Sequence, residues 1–355
     1  MELDLFDYDL PREMIAQSKS DPRDSSRLFY MDARGERTIH RHHVFRDIVG
    51  LLDKGDILVL NRSRVIPARI PVRKVTGGRA EVLLLKGSDD GSWEALVRGR
   101  NIKKDERLLC DDEDLEILMK ERMHEGRCRI AFRRRNGPMD HSAAMEWLRR
   151  WGLMPTPPYI KRILDDPEEY QTVYGDMEGS VAAPTAGLHF TEGLLERLRE
   201  KGVRIVHIIL HVGPGTFAPV RSKDINDHIM EEEEFLIPES VKDTVRDAVE
   251  QRDSNGANRI WAVGTTTMRS LESAFDEQGE CIREKGKTDL FITPGYQFKL
   301  PYKGFITNFH LPRSTPLMLV SAFHDRESIL AAYHEAMRMG YRFYSLGDSM
   351  MIRRG

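Results

Sequence analysis

Closely spaced turn signals between residues 61 and 151 limit the folds open to this chain more than any other feature. Short apolar runs in this segment are separated by glycine-containing turns, as at residues 76–78 and 87–91. The apolar residues do not recur with the 3.6-residue period of a helix. Frequent turns without helical periodicity are typical of small all-β units. We therefore predict a small all-β barrel in this segment.

The rest of the chain alternates apolar strand patterns with helical patterns. Buried strands are predicted at 57–60, 203–212, 260–263 and 305–309. Helices are predicted at 11–17, 45–52, 141–151, 241–251, 268–275, 317–323 and 327–339. Such alternation predicts an α/β fold, a layered mixed sheet flanked by helices, with an inserted small all-β barrel domain. The predicted domains are 1–61 with 152–355 for the α/β part and 62–151 for the barrel.

The charge of the chain is divided unevenly between these two parts. The formal net charge is −3. Residues 61–150 nevertheless contain 21 Lys and Arg against 15 Asp and Glu, whereas the remainder contains 33 basic and 42 acidic residues. A basic segment in an acidic protein indicates a phosphate-rich partner, although solvated surface charge gives the same count. The acidic run at residues 231–234 is expected to be a solvated face.

The cysteines and the length of the apolar runs indicate where in the cell the protein is located. Cys110, Cys128 and Cys281 are odd in number and widely spaced, which argues against a disulfide framework and a structural zinc site. The acidic first nine residues are unlike a secretory signal, and no apolar run approaches the ~20 residues that cross a bilayer. We predict a cytoplasmic protein that contacts no membrane.

The segment at residues 179–191 is the first candidate ligand site. Most residues up to Gly187 are small, so a ligand can approach the main chain closely. Thr191 is placed to cap a following helix, and His189 stands beside that helix start. A small-residue loop with one titratable ring suits a polar ligand, whereas a tight loop with a packed histidine is the structural alternative.

Further strand ends carry polar clusters. The strand at 203–212 ends at His211, and ligands of open α/β sheets bind beyond the carboxyl ends of strands. The turn at 264–269 offers N–H groups, hydroxyls and Arg269 to a carboxylate or phosphate, although threonine capping also explains its composition. Metal binding by His189, His207 and His211 is an open alternative without a supporting Cys or carboxylate spacing.

Runs distributed over almost the whole chain carry a family resemblance. They lie at residues 6–11, 23–27, 64–69, 157–160, 170–174, 179–191, 210–220, 264–269, 294–296, 307–320 and 341–350. These runs resemble the S-adenosylmethionine:tRNA ribosyltransferase-isomerase family of queuosine biosynthesis. Five positions depart from the family pattern, namely Arg62, Ser63, Glu231 in place of a histidine, Pro316 and Leu346.

The resemblance implies a reaction and its partners. The ribosyl moiety of S-adenosylmethionine is transferred and isomerised onto 7-aminomethyl-7-deazaguanine at the wobble position in a tRNA anticodon loop. Epoxyqueuosine forms, and adenine and methionine leave. S-adenosylmethionine is a consumed cosubstrate, and no metal, other cofactor or obligate protein partner is expected. An S-adenosylmethionine-dependent RNA methyltransferase and a non-catalytic RNA-binding module are the alternatives.

The implied chemistry suggests roles for the strand-end residues. The sulfonium acidifies the ribose C5′ proton, so a base is useful, and adenine leaves better when it is protonated. Histidine suits both tasks, and the expected proton carriers, with acid and base unassigned, are His189, His211 and His310. The expected substrate contacts are Gly179, Ala182, Ala183, Thr185, Gly187, Gly213, Gly215, Thr216, Thr265, Thr266, Arg269, Asn308 and Asp348. The expected RNA contacts of the barrel are Arg64, Arg69 and Arg98.

Overall fold

The computed structural model describes residues 1–34, 37–88, 90–164, 166–213, 215, 220, 222–255 and 257–354. The strands of these residues are β1 (Arg27–Asp32), β2 (Ile39–Val44), β3 (Ile57–Asn61), β4 (Ser63–Val65), β5 (Arg69–Lys74), β6 (Arg79–Gly87), β7 (Ser92–Arg98), β8 (Arg107–Leu109), β9 (Leu115–Arg122), β10 (Arg127–Arg134), β11 (Gly137–Pro138), β12 (Met177–Ser180), β13 (Arg204–Leu210), β14 (Glu233–Leu236), β15 (Ile260–Val263), β16 (Lys285–Thr288), β17 (Tyr302–Asn308) and β18 (Ser349–Arg353). The helices are α1 (Ile48–Leu51), α2 (His141–Trp151), α3 (Glu192–Glu200), α4 (Glu239–Asn255), α5 (Thr265–Ala274), α6 (Thr315–Phe323) and α7 (Arg326–Arg338).

A mixed nine-stranded sheet forms the larger part of the molecule. Its strand order is β16-β14-β13-β3-β15-β17-β18-β1-β2. The neighbours β13–β3, β3–β15, β15–β17 and β1–β18 are parallel, and the other neighbours are antiparallel. The predicted layered mixed sheet is confirmed.

Helices cover both faces of this sheet because its central strands are apolar on both sides. Along β3, Ile57 and Val59 belong to one core cluster with residues of α4 to α7. Leu58 and Leu60 belong to a second cluster with residues of α1 and α3. Successive side chains of a strand point to opposite faces, so the uninterrupted apolar run requires cover on each side.

The inserted barrel consists of six strands. The order is β10-β7-β6-β5-β8-β9, and pairing of β9 with β10 closes it, while β11 adds to β10. Inward residues of these strands form a separate core cluster that also includes Met145, Trp147 and Leu148 of α2. The predicted barrel is confirmed. The domain limits at 61/62 and 151/152 stay a prediction.

Two predicted helices are shorter than expected. In the predicted helix at 11–17, only Arg12–Met14 form a 3-10 turn, because the main chain then bonds elsewhere: Ile15 bridges Phe343, and the Ala16 N–H donates to the Phe343 carbonyl at 3.1 Å. In the predicted helix at 45–52, a 3-10 turn precedes the four residues of α1. Across the described ranges, no helix combines the length and the apolar character that a membrane crossing requires.

Candidate active site

The loop at residues 179–191 leads from β12 into α3. Gly179 has a φ of +141°, and a Cβ at this position would lie 2.6 Å from the His211 ring. Glycine is therefore required for this approach. Thr191 caps α3, since its Oγ1 accepts a hydrogen bond from the Leu194 N–H at 3.2 Å, and the predicted cap is confirmed.

A chain of hydrogen bonds connects Ser26, His189, Asn308 and Thr185. Ser26 Oγ lies 2.8 Å from His189 Nδ1. His189 Nε2 lies 3.1 Å from Asn308 Nδ2, and Thr185 Oγ1 donates to Asn308 Oδ1 at 3.0 Å. Ser26, His189 and Asn308 are buried, whereas Asn308 and Thr185 also line a cavity. This series of hydrogen bonds therefore extends from the buried Ser26 to Thr185 on the wall of the cavity.

The second hydrogen bond of the Asn308 amide fixes the tautomer of His189. Asn308 Nδ2 donates to the Tyr344 carbonyl at 3.3 Å, and because a carbonyl only accepts, the amide nitrogen must face His189. His189 Nε2 then accepts, and Nδ1–H donates to Ser26. Burial, with repulsion from two nearby arginines, lowers the pKa of His189 to about 3. His189 is neutral at pH 7, and its Nε2 positions Asn308 while the bond between Nδ1 and Ser26 holds the ring.

His310 lines a small cavity at the end of β17. The cavity measures about 30 Å³, which is room for about one water-sized group. His310 Nε2 lies 2.8 Å from Thr307 Oγ1, and its main-chain N–H donates to the Tyr333 hydroxyl at 3.1 Å. Burial lowers the pKa of His310 to about 3, so the ring is neutral at pH 7. The expected residues that share this cavity are Ala183, Thr185, Thr265, Thr266 and Asn308.

A second cavity of about 920 Å³ lies between the barrel and the nine-stranded sheet. This volume is typical of small-molecule sites. The barrel contributes Lys86 and Arg127, and the sheet side contributes Gly179 and His211. Val212 lines both cavities. The two cavities are therefore neighbours. His211 lines the large cavity and His310 the small one, whereas His189 lines neither.

The surroundings of His211 also favour its neutral form. Burial lowers the pKa of His211, and Glu234 acts in the opposite direction. Among the described residues its buried Nδ1 has no hydrogen-bond partner. A buried polar atom without a partner costs free energy. A bound ligand in the large cavity would remove that cost.

Arg269 is engaged within the protein. Its guanidinium forms a buried ion pair with Glu233 and donates to the carbonyls of Leu290 at 2.9 Å and Thr288 at 3.2 Å. Glu233 also accepts from the Gly213 N–H at 2.9 Å. A substrate carboxylate could contact Arg269 only if these bonds broke. The predicted contact stays a prediction, and the structure gives Arg269 a role in anchoring the loop after β13.

Thr265 and Thr266 remain at the start of α5, where they line the small cavity. Gly264 before them has a φ of +87°, which favours glycine. The first N–H groups of a helix have no partner within the helix, and the helix N-terminus attracts negative charge. The N-terminal end of α5, which carries the positive end of the helix dipole, therefore lies at the wall of the small cavity.

Asp348 serves the fold through both carboxylate oxygens. Oδ1 accepts from the Arg27 N–H at 2.9 Å, and Oδ2 accepts from the Arg342 N–H at 2.8 Å. Asp348 is 1% exposed and does not line either of the two cavities described above. The sequence did not distinguish a ligand contact at Asp348 from a main-chain anchor.

Some of the small residues expected to contact the substrate line a cavity, and others are packed in the protein interior. Gly213 lines the large cavity and Ala183 the small one. Ala182 instead belongs to the core beneath the sheet. Gly187 packs against the Tyr174 hydroxyl, where a Cβ would collide.

Two departures from the family pattern, Arg62 and Glu231, form ion pairs. Arg62 donates from Nε to Asp176 at 2.6 Å. Glu231 lies 3.0 Å from Arg127 across the large cavity, and a Cβ on Gly215 would meet its carboxylate. Thr216, an expected substrate contact, lies outside the described residues.

The three arginines expected to contact RNA differ in whether their charge is already paired with a carboxylate of the protein. Arg64 forms an ion pair with Glu168, and Arg69 lies 2.7 Å from Glu81. Arg98 is exposed at the end of β7, and no carboxylate of a described residue lies within ion-pair distance of it. Arg98 is thus the most available of the three.

Sequence reasoning missed Ser26, Arg127 and Glu233. Ser26 lies in a run that carried the resemblance but offered no chemical signal of its own. The acidic run was expected to be solvated, and this is wrong for Glu233, which is 4% exposed. A buried carboxylate requires a partner, and that partner is 36 positions away in sequence, at Arg269.

The metal alternative gains no geometric support. Within the described ranges, no group of three His, Cys, Asp or Glu side chains is arranged to hold a metal ion. His189, one of the three histidines considered, uses both ring nitrogens for Ser26 and Asn308.

The neutral buried histidines predict how stability depends on pH. The pKa of His189 is about 3 in the folded state against 6.5 for an unperturbed histidine. The unfolded state binds more protons between these values, so the free energy of unfolding should fall as pH is lowered from 6.5 towards 3. Each such histidine contributes a slope of up to ~1.4 kcal/mol per pH unit. Urea unfolding between about pH 5 and 6.5 should give a smaller slope for His189→Gln than for the wild type, and equal slopes would contradict a neutral His189.

The fold and the site define a class: an α/β protein with an inserted β-barrel and a ligand-sized cavity between barrel and sheet, beside buried neutral histidines. A family model described as "Queuosine biosynthesis protein" matches residues 3–352. The chain belongs to this family.

Curated relatives and a solved structure match over nearly the full length. S-adenosylmethionine:tRNA ribosyltransferase-isomerases from Thermotoga maritima and Thermosipho africanus are 47% and 48% identical, each over 99% of this chain and 100% of the relative. The crystal structure of S-adenosylmethionine tRNA ribosyltransferase from Thermotoga maritima matches with a TM-score of 0.52 and 38% identity, over 98% of this chain and 99% of that chain.

Proposed function

We propose that this protein is an S-adenosylmethionine:tRNA ribosyltransferase-isomerase. It transfers and isomerises the ribosyl moiety of S-adenosylmethionine onto 7-aminomethyl-7-deazaguanine at the tRNA wobble position, and epoxyqueuosine, adenine and methionine are the products. The observation that carries the proposal is the family match over residues 3–352, together with relatives of that name along the whole chain.

The two neighbouring cavities suit different parts of the substrates. The large cavity has the volume for a nucleoside, with His211 and the bare main chain of Gly179 on its wall. The methionine carboxylate lies against the N-terminus of α5, beside Thr265 and Thr266. An unpaired wobble base enters the large cavity without the cost of opening a duplex.

His310 is the proposed starting base because its side chain lines the small cavity and is neutral at pH 7. A neutral imidazole is a base, so His310 begins by accepting the sulfonium-acidified C5′ proton. The imidazolium so formed is a strong acid, because burial disfavours the charge, and it returns the proton to departing adenine. His211 is neutral for the same reason and acts from the large cavity. His189 positions Asn308, which lines the small cavity together with His310.

The proposal also covers the cofactor requirement of the reaction and the compartment in which it takes place. The sulfonium supplies the acidity of the C5′ proton, so the reaction needs no metal or resident cofactor. The three cysteines are unpaired, which fits a reducing cytoplasm.

Product analysis tests the proposal. The protein is incubated with S-adenosylmethionine and a tRNA bearing 7-aminomethyl-7-deazaguanine, with and without a chelator. We expect equimolar adenine and methionine with a modified tRNA, and no change on chelation. Formation of S-adenosylhomocysteine would indicate methyl transfer, and absence of turnover would leave RNA binding alone; either result would overturn the proposal.

A further inference from the structure

One end of the barrel is strongly basic. It consists of the β5–β6 hairpin at residues 73–79 and the segment at residues 98–106, here called the basic end. These residues include seven Lys and Arg against two acidic side chains. Lys74 joins the two segments, since its Nζ donates to the carbonyls of Arg100 at 3.2 Å and Asn101 at 3.1 Å. The cations therefore share one surface.

Most cations of the basic end lack a counterion within the protein. Lys74 lies 3.0 Å from Glu106. The other six are exposed, and no carboxylate of the described residues lies within 4.0 Å of their charged groups; they are Arg73, Arg79, Arg98, Arg100, Lys103 and Lys104.

The strand register concentrates this charge. Arg73 and Arg79 are direct cross-strand partners in the β5–β6 hairpin. Like charges directly opposite each other destabilise a sheet. Glu81, which faces Arg98 across β6 and β7, is already bonded to Arg69 at 2.7 Å. An external polyanion would reduce this repulsion. No carboxylate of the described residues lies close enough to Arg73 or Arg79 to do so.

The basic end lies far from the large cavity. Arg79 and Gly87 are the two ends of β6, and Gly87 lines the cavity. A strand advances ~3.3 Å per residue, which separates them by about 25 Å. A nucleic acid that places one base in the cavity therefore meets the basic end with its backbone, some distance along the same arm.

We propose that the basic end binds the sugar-phosphate backbone of the tRNA arm that carries the reacting base, and so supplies affinity without contacting that base. This inference rests on the proposed function, which provides the tRNA. It also moves the main RNA contact from Arg64 and Arg69, which are held in ion pairs, to the hairpin and the neighbouring segment. Phosphate contacts position a nucleic acid but carry no sequence information.

Charge-neutralising variants test the proposal. The double variant Arg73→Gln, Arg79→Gln is compared with Arg41→Gln, Arg338→Gln, which removes two exposed charges from β2 and α7 at the other edge of the molecule. Affinity for the tRNA is measured between about 0.05 and 0.3 M salt, where phosphate contacts dominate the slope. Adenine release at saturating tRNA is measured in parallel.

We expect the basic-end variant to bind the tRNA about 10-fold or more weakly at ~0.1 M salt and to lower the salt slope by about 1 to 2. Its adenine release at saturating tRNA should equal that of the wild type. Equal affinity and slope in the two double variants would overturn the inference while leaving the function intact. Failure of the proposed function is a separate result, because the wild type would then release no adenine.

Discussion

His310→Ala should reduce kcat/KM by at least ~100-fold, the usual contribution of a positioned acid or base. The substitution removes the ring from the wall of the small cavity. It leaves the main-chain bonds of residue 310 to the hydroxyls of Tyr333 and Tyr8 in place. The measurement is adenine release under single-turnover conditions, which reports the chemical step and not product release.

Thr307→Val is the matched control for His310→Ala. It removes only the hydroxyl that lies 2.8 Å from His310 Nε2, so the ring remains but loses an orienting bond. We expect about a 10-fold loss in kcat, consistent with one hydrogen bond of ~1 kcal/mol. A wild-type rate in His310→Ala, with an unchanged melting temperature, would remove His310 from the proton transfer.

Asn308→Ala should lower kcat/KM by about 10- to 100-fold and should also lower the free energy of unfolding. The change leaves the buried His189 Nε2 without a donor and releases Thr185. Each buried polar atom without a partner costs ~1–3 kcal/mol. Adenine release and urea unfolding measure the two effects separately.

Smaller changes along the same chain separate positioning from folding. Ser26→Ala and Thr185→Val each remove one hydroxyl, while the bond from Asn308 Nδ2 to the Tyr344 carbonyl remains. We expect both variants to lose less stability than Asn308→Ala, because each removes a single hydrogen bond, and to show about a 10-fold loss in kcat with little change in KM. If Asn308→Ala lost stability but kept the wild-type kcat, the chain would be structural only.

Local patterns in the sequence were enough to predict most of the helices and the four adjacent parallel strands β13, β3, β15 and β17. The helix predicted at 141–151 has the bounds of α2, and the strand predicted at 260–263 has those of β15. These elements have strong local signals: an Asp140 cap bonded to the Ala143 N–H at 2.8 Å, and a short run that is buried throughout. Local signals failed at 11–17, where the main chain bonds to Phe343 and not to the next turn.

The candidate site was predicted only in part, because a sequence shows which residues end a strand but not which other segments reach them. Thr265 and Thr266, which follow β15, do share one cavity with Asn308 and His310 at the end of β17, as adjacent ends of parallel strands require. His211 faces the barrel, and its cavity forms only because the insertion packs against the sheet.

The sequence by itself determined the barrel, the mixed sheet and the family, since turn spacing, apolar periodicity and long specific runs are properties of neighbouring residues. Only the tertiary structure decided that Glu233 neutralises Arg269, that Asp348 holds main-chain amides, and that the basic end of the barrel lacks counterions. Such pairings depend on which distant side chains meet after folding. The free energy of a buried charge depends on which partner it contacts in the folded protein, and not on where the residue stands in the sequence.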